Sequence, residues 1–184
     1  KNNLKIFIMK TTVLKFFTLS AAIFAFSTIS FGQNTSTASD VPVGATIITP
    51  LTITLSAGTQ LQFGTIVADA TSGDDVVLSP GNEIDTDLTH LGGNSVPTFN
   101  VTGEPNSTYS VTLPTASIDL EHDGSGTLSG TITTLSVSNF LENSNETLSA
   151  SGTGFFQVGA TLNVAANQAG GVYTGVFDVT VAYE

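Results

Sequence analysis

Acidic residues at alternate positions in Asp119-Leu120-Glu121-His122-Asp123, followed by Gly124-Ser125-Gly126, are the most site-like stretch of this chain. Carboxylates at i, i+2 and i+4 ahead of a glycine turn are how a calcium loop opens, with hard oxygen ligands converging on one cation. Asp119, Glu121 and Asp123 are therefore the candidate metal ligands, and calcium is the one cofactor the sequence admits. A complete helix–loop–helix calcium site closes on a bidentate Glu, and this chain has Gly130 at that place. The same residues also read as a hairpin turn at Asp123-Gly124, a favoured turn pair, and the turn takes precedence. Asp74-Asp75 and Glu83-x-Asp85-x-Asp87 are weaker clusters of the same kind.

Little else could do bond chemistry. There is no Cys, hence no thiolate and no disulfide. The two histidines, His90 in Thr89-His90-Leu91-Gly92-Gly93 and His122 in the acidic stretch, read as surface loop residues. No Gly-x-Ser-x-Gly elbow accompanies them. Paired carboxylates alone could serve a glycosidase, but the chain has no Trp and few aromatics to grip a sugar ring in a cleft. The reading is therefore non-enzymatic.

Charge excludes further classes. All four basic residues, Lys1, Lys5, Lys10 and Lys15, stand at the start, and all fifteen acidic residues follow from Asp40 onward. Nucleic-acid binding depends on Lys and Arg neutralising phosphates, and anionic lipid would repel such a chain. Neither is expected as a partner.

The basic head runs into an apolar stretch, Phe16 to Phe26, and then into small residues at Ser30 and Gly32. That order predicts a secretory signal helix cut after Gly32, with Met9 as the start and residues 1–8 as upstream read-through. The apolar stretch is shorter than the roughly 20 residues a spanning helix needs, so no membrane span is expected after cleavage. The expected organisation is 1–32 for read-through plus signal, 33–43 for a polar flexible leader, and 44–184 for one domain. The expected location is outside the cytoplasm: periplasm, cell surface or extracellular space.

From Val41 onward the hydrophobic period is two. Leu51, Ile53 and Leu55 alternate with Thr52 and Thr54, and Phe156, Val158, Ala160, Leu162 and Val164 alternate likewise. Tyr173, Phe177, Val179, Val181 and Tyr183 share one face of an expected last strand. A phase change between Ile132 and Leu135 predicts a bulge, and Pro80 to Ser95 reads as a polar loop. No window after the signal keeps a helical period. About nine or ten short strands punctuated by Gly and Asn predict an all-β, immunoglobulin-like antiparallel β-sandwich.

The C-terminal stretch Gly171 to Glu184, alternating and with a penultimate Tyr, resembles the terminal strand of chaperone–usher pilins. Leu61-Gln62-Phe63-Gly64-Thr65-Ile66 resembles the Phe-Gly segment of the spore coat U group. The overall layout is similar to a domain-of-unknown-function family of exported bacterial β-sandwiches. Ile48 to Ile53, Val158 to Val164 and Gly175 to Val181 carry that similarity. The resemblance implies a pilin-like structural or adhesive subunit whose partners are copies of itself or a periplasmic chaperone. Val41, Val43, Ala45 and Ile47 alternate as a donor strand must, and Tyr173, Phe177, Val179, Val181 and Tyr183 would form the acceptor side. Pro42 removes one ladder bond from such a donor strand, and Val41 to Ile47 also reads as the sandwich's own first strand. The alternative function is a stand-alone secreted calcium- or glycan-binding β-sandwich module.

Fifteen carboxylates without a single Lys or Arg beyond Lys15 repel one another, and salt screens that repulsion. The melting temperature is therefore expected to rise between very low and moderate ionic strength. A scanning-calorimetry series at fixed pH checks it, and a flat series would remove repulsion as a load on the fold.

Overall fold

The computed structural model describes residues 36–125 and 132–184. The expected signal helix, residues 1–32, lies outside the described residues. The chain divides into two compact units, Lys1–Ala45 and Thr46–Glu184. Of the first, residues 36–45 are described, and they are exposed and carry no strand.

The second unit is all-β. Its strands are β1 (Thr52–Leu55), β2 (Gln62–Phe63), β3 (Ile66–Val67), β4 (Asp74–Leu78), β5 (Ile84–Asp85), β6 (Thr89–His90) and β7 (Asn94–Ser95). There follow β8 (Thr98–Thr102), β9 (Tyr109–Thr112), β10 (Ile118–His122), β11 (Leu135–Glu142), β12 (Thr153–Val164), β13 (Tyr173–Thr174) and β14 (Thr180–Tyr183). Every pairing between these strands is antiparallel. No helix occurs among the described residues.

Strand β12 organises the rest. Its first half, Thr153 to Gln157, pairs with β8, which pairs with β1. Its second half is flanked by β11 and β4. The β11 side continues through β10 to β13, and β4 carries β5. One long strand therefore belongs to two wings of sheet, and β9 and β14 form a separate two-stranded ladder. Inward from β12 point Phe156, Val158, Ala160, Leu162 and Val164, all buried. They meet Val76 and Leu78 from β4, Val101 from β8, Tyr109 from β9 and Val137 from β11 in one core. Phe156 stacks on Phe99 with ring centroids 5.2 Å apart and planes 20° from parallel. This is an antiparallel β-sandwich, as period-two patterning demands when one face of each strand is apolar.

Three details differ from the sequence expectation. The span Pro80 to Ser95 is not structureless: β5, β6 and β7 pair back on β4, β3 and β2. Two-residue strands are too short to show a period. The β11–β12 register shifts between Ser138 and Leu141, later than the sequence phase change, where Asn139 takes φ 50°. Asn tolerates that left-handed conformation better than other side chains. Ile132 instead forms an isolated parallel bridge with Gln168. Lastly, the expected terminal strand is broken: β13 pairs with β10, β14 pairs with β9, and residues 175–179 belong to neither.

Gly159 lies opposite this bulge, paired with Leu141. A Cβ placed on it would come within 2.1 Å of the Leu78 carbonyl oxygen and 2.7 Å of the Pro80 nitrogen. Both are backbone atoms, so no rotamer can yield. Gly159→Ala is expected to destabilise the domain by about 2 kcal/mol or more, measured by urea denaturation, whereas Gly81→Ala should stay within about 0.5 kcal/mol. The contrast follows because a Cβ at Gly81 meets only Ser79 Oγ, at an ordinary 3.6 Å.

Candidate functional site

The acidic stretch is a strand for most of its length. Ile118 and Leu120 on β10 pack against the core, and Asp119 and Glu121 alternate outward. Two residues of strand advance about 6.8 Å, so carboxylates at this spacing are strung along a line rather than wrapped around a point. Asp123 lies past the strand end, where its Oδ1 accepts the Ser125 N–H at 2.8 Å and Gly124 takes φ 78°. Among the described residues no group of three or more His, Asp or Glu side chains gathers as a metal cage. The structure thus does not bring Asp119, Glu121 and Asp123 together, and Asp123-Gly124 is a turn. Asp119 instead lines an open pocket of about 330 Å³ with Thr134, Ser136 and Asn163.

The Asp74 and Asp75 carboxylates accept from neutral donors. Asp74 Oδ2 accepts the Thr86 hydroxyl at 2.8 Å and the Asp87 N–H at 2.7 Å, pinning the loop after β5. Asp75 Oδ1 accepts Asn163 Nδ2 at 2.7 Å, and Asn163 Oδ1 in turn accepts the Ser138 hydroxyl at 3.0 Å. Asp69 Oδ1 caps the turn Asp69-Ala70-Thr71-Ser72 by accepting the N–H groups of Thr71 and Ser72.

Those bonds favour the charged form. The Asp69 carboxyl is held below its usual value by the Thr71 N–H first, and the Asp74 carboxyl by the Asp87 N–H and then the Thr86 hydroxyl. Glu104 is lowered chiefly by the Thr49 N–H, and Asp123 by the Ser125 hydroxyl and N–H.

Both histidines bond to backbone groups. His90 Nε2 is 2.8 Å from the Phe63 carbonyl oxygen and ties β6 to the turn after β2. His122 Nδ1 accepts the Gly124 N–H at 3.0 Å, and its Nε2 is 3.2 Å from the Gly170 carbonyl oxygen. Its ring stands edge-on to Tyr173, with centroids 4.9 Å apart.

The expected assembly residues fall into two groups. Tyr173, Phe177, Val179, Val181 and Tyr183 are half-buried against the domain's own core, but they do not lie on one strand. Gly175, where a Cβ would come within 2.6 Å of the Leu120 side chain, lies between β13 on β10 and β14 on β9. Phe177 packs on Phe140 with ring centroids 5.0 Å apart. The Tyr173 hydroxyl donates to the Ala169 carbonyl at 2.7 Å and accepts from Gln168 Nε2 at 2.9 Å. Gln168 also donates to the carbonyls of Ile132 and Thr134. The Tyr183 hydroxyl donates to the Thr49 carbonyl at 2.7 Å and accepts the Glu104 N–H at 2.6 Å. Sequence reasoning missed Gln168, Asn163 and Glu104, because nothing in their neighbourhood distinguishes a polar clasp from an ordinary loop residue.

Of the proposed donor residues, Val41 is 66% exposed, Val43 95% and Ile47 94%, and Ala45 is exposed too. Residues 41–51 form no strand, so this segment is not the first strand of a ladder. Among the described residues, strand β1 is paired on one side only, by β8, and β14 on one side only, by β9. The two approach each other without ladder hydrogen bonds.

These features define a class: a β-sandwich whose notable surfaces are strand edges and sheet faces. The chain belongs to the family described as domain of unknown function DUF4402, whose model matches residues 51–183. No curated protein and no solved structure matches it. Among the described residues no helix is long and apolar enough to cross a membrane.

A carboxyl with a lowered folded value contributes stability that is fully present above its ordinary value of about 4 and lost as pH falls through the lowered one. For Asp74 the difference in urea midpoint between the parent and Asp74→Ala should therefore be largest at neutral pH. It should narrow as pH drops below about 4. Comparing the two proteins cancels the general relief of acidic repulsion, and a difference that stays constant into acid would contradict the reading.

Proposed function

We propose that the protein is a non-enzymatic, exported structural or adhesive surface protein, a pilin-like subunit that assembles by strand addition between copies. The observation that carries this is the run Val41 to Ile48, in which Val41, Val43, Ile47 and Ile48 are 66%, 95%, 94% and 51% exposed outside any strand. Apolar side chains at alternate positions on an unpaired backbone gain twice from entering a sheet edge. Their N–H and C=O groups acquire ladder partners, and every second side chain is buried. The one-sided pairing of β1 and β14 supplies edges of the required kind. A head-to-tail contact, in which one copy gives and the next receives, makes a filament when its rotation does not close into a ring. The resemblance to pilin and spore coat U sequences supports this reading, which places the protein in the periplasm, at the cell surface or outside the cell. A periplasmic chaperone is the natural partner before assembly, since an open edge must be covered until then.

The test is a double substitution. Val43→Asp with Ile47→Asp is expected to abolish polymers, seen as the loss of a size-exclusion and cross-linking ladder, while export of the protein continues. Filaments that persist in the double variant would reject strand addition through this segment.

A further inference from the structure

The outward face of β1, β8 and β12 differs from the rest of this acidic domain. The ladder registers place its residues in ranks: Thr52 beside Thr102 and Thr102 beside Thr153, Thr54 beside Asn100 and Asn100 beside Phe155, and Thr98 beside Gln157. Ser56 extends the last rank, donating its N–H to the Thr98 carbonyl at 2.8 Å. None of these nine residues is charged, although the chain carries fifteen acidic side chains. At the middle rank stands Phe155, 67% exposed and, among the described residues, the only aromatic ring left largely in solvent. The core does not require it there, because its neighbour Phe156 fills the inward position completely.

The polar groups around Phe155 are held in place. Asn100, directly across the ladder, donates Nδ2 to Ser56 Oγ at 2.8 Å, and Gln157, two positions along β12, donates Nε2 to Thr98 Oγ1 at 3.4 Å. Each amide is thereby fixed through its nitrogen, and its carbonyl oxygen makes no hydrogen bond among the described residues. Thr52 and Thr102 share a hydroxyl bond of 2.7 Å. The face therefore offers one flat aromatic ring, two oriented acceptors and a border of hydroxyls, on a sheet whose neighbouring strands lie about 4.8 Å apart.

We propose that this face is a binding platform for a neutral glycan chain. A sugar ring presents polarised C–H groups on its flat side, which the electron-rich face of Phe155 attracts. It presents hydroxyls at its rim, which the fixed carbonyl oxygens of Asn100 and Gln157 accept and the threonine hydroxyls complement. The lack of charge disfavours ionic ligands, since there is nothing here to pair with them. One exposed ring is also too little apolar surface for a stable protein interface, which buries about 800 Å² on each partner. The site is independent of the strand-addition segment and goes beyond the assembly reading, giving each copy its own contact with a surface.

The test measures retention of the purified protein on immobilised cellulose, mannan and laminarin, with polygalacturonate as the anionic control. Retention is expected on at least one neutral polysaccharide and not on polygalacturonate. Phe155→Ala should weaken it by about tenfold or more without shifting the melting temperature, and Phe155→Trp should preserve it. The Val43→Asp, Ile47→Asp protein should bind as the parent does, so failure of assembly and failure of glycan binding are separately visible. No retention on any neutral polysaccharide, or retention that Phe155→Ala leaves unchanged, overturns the proposal. So does a Phe155→Ala protein whose only change is the loss of a dimer, which would assign the face to a second copy of the chain.

Discussion

Strand β12 is the constraint on which the domain rests. It is the longest strand, and it takes part in both wings of the sheet, through β8 at its first half and through β4 and β11 at its second. Its five inward side chains lie at the centre of the apolar core. Gly159 lets the Leu78 carbonyl approach, and Asn139 on the facing strand turns through a left-handed residue. With no disulfide available, this packing is what fixes the wings relative to each other.

A second constraint is the lack of cations. An acidic domain ordinarily tempers its carboxylates with Lys and Arg, and here N–H groups, hydroxyls and amides take that role. Asp69, Asp74, Asp75, Glu104 and Asp123 each accept such bonds at turns or strand ends. These charge-assisted contacts are short-range and directional, so they define loop geometry. Of the acidic residues that sequence spacing suggests as ligands, Asp74 and Asp123 accept loop hydrogen bonds and Asp119 and Glu121 stand on the outward face of β10.

How much of this was legible depended on how far each pattern extends. Strands β1, β8 and β12 could be read because their apolar residues alternate over four or more positions and turn residues such as Gly58 bound them. Strands β5, β6 and β7 could not, since two residues carry no period. Tyr173 to Tyr183 keeps its alternation across the break at residues 175–179, because the side chains continue to face one core while the backbone changes partner. Asp119, Glu121 and Asp123 have the same spacing in a loop as in a strand. The inward phase of Ile118 and Leu120 distinguishes the two, and that phase is visible only once the core is known. The outer face around Phe155 had a faint signal, the doublet Phe155-Phe156, in which an alternating strand must turn one ring outward.

The Tyr183 clasp has a topological meaning. Its hydroxyl touches the Thr49 carbonyl, so the segment that leads into β1 and the strand that closes the domain are neighbours in space. Ends held this near can be spliced by a short linker and the polypeptide reopened at an exposed turn elsewhere, as circular permutation does. The sandwich is in this sense a ring of strands cut at one point. Its architecture would tolerate a cut at an exposed turn elsewhere, whereas the order in which a ribosome delivers its pieces would follow the new cut.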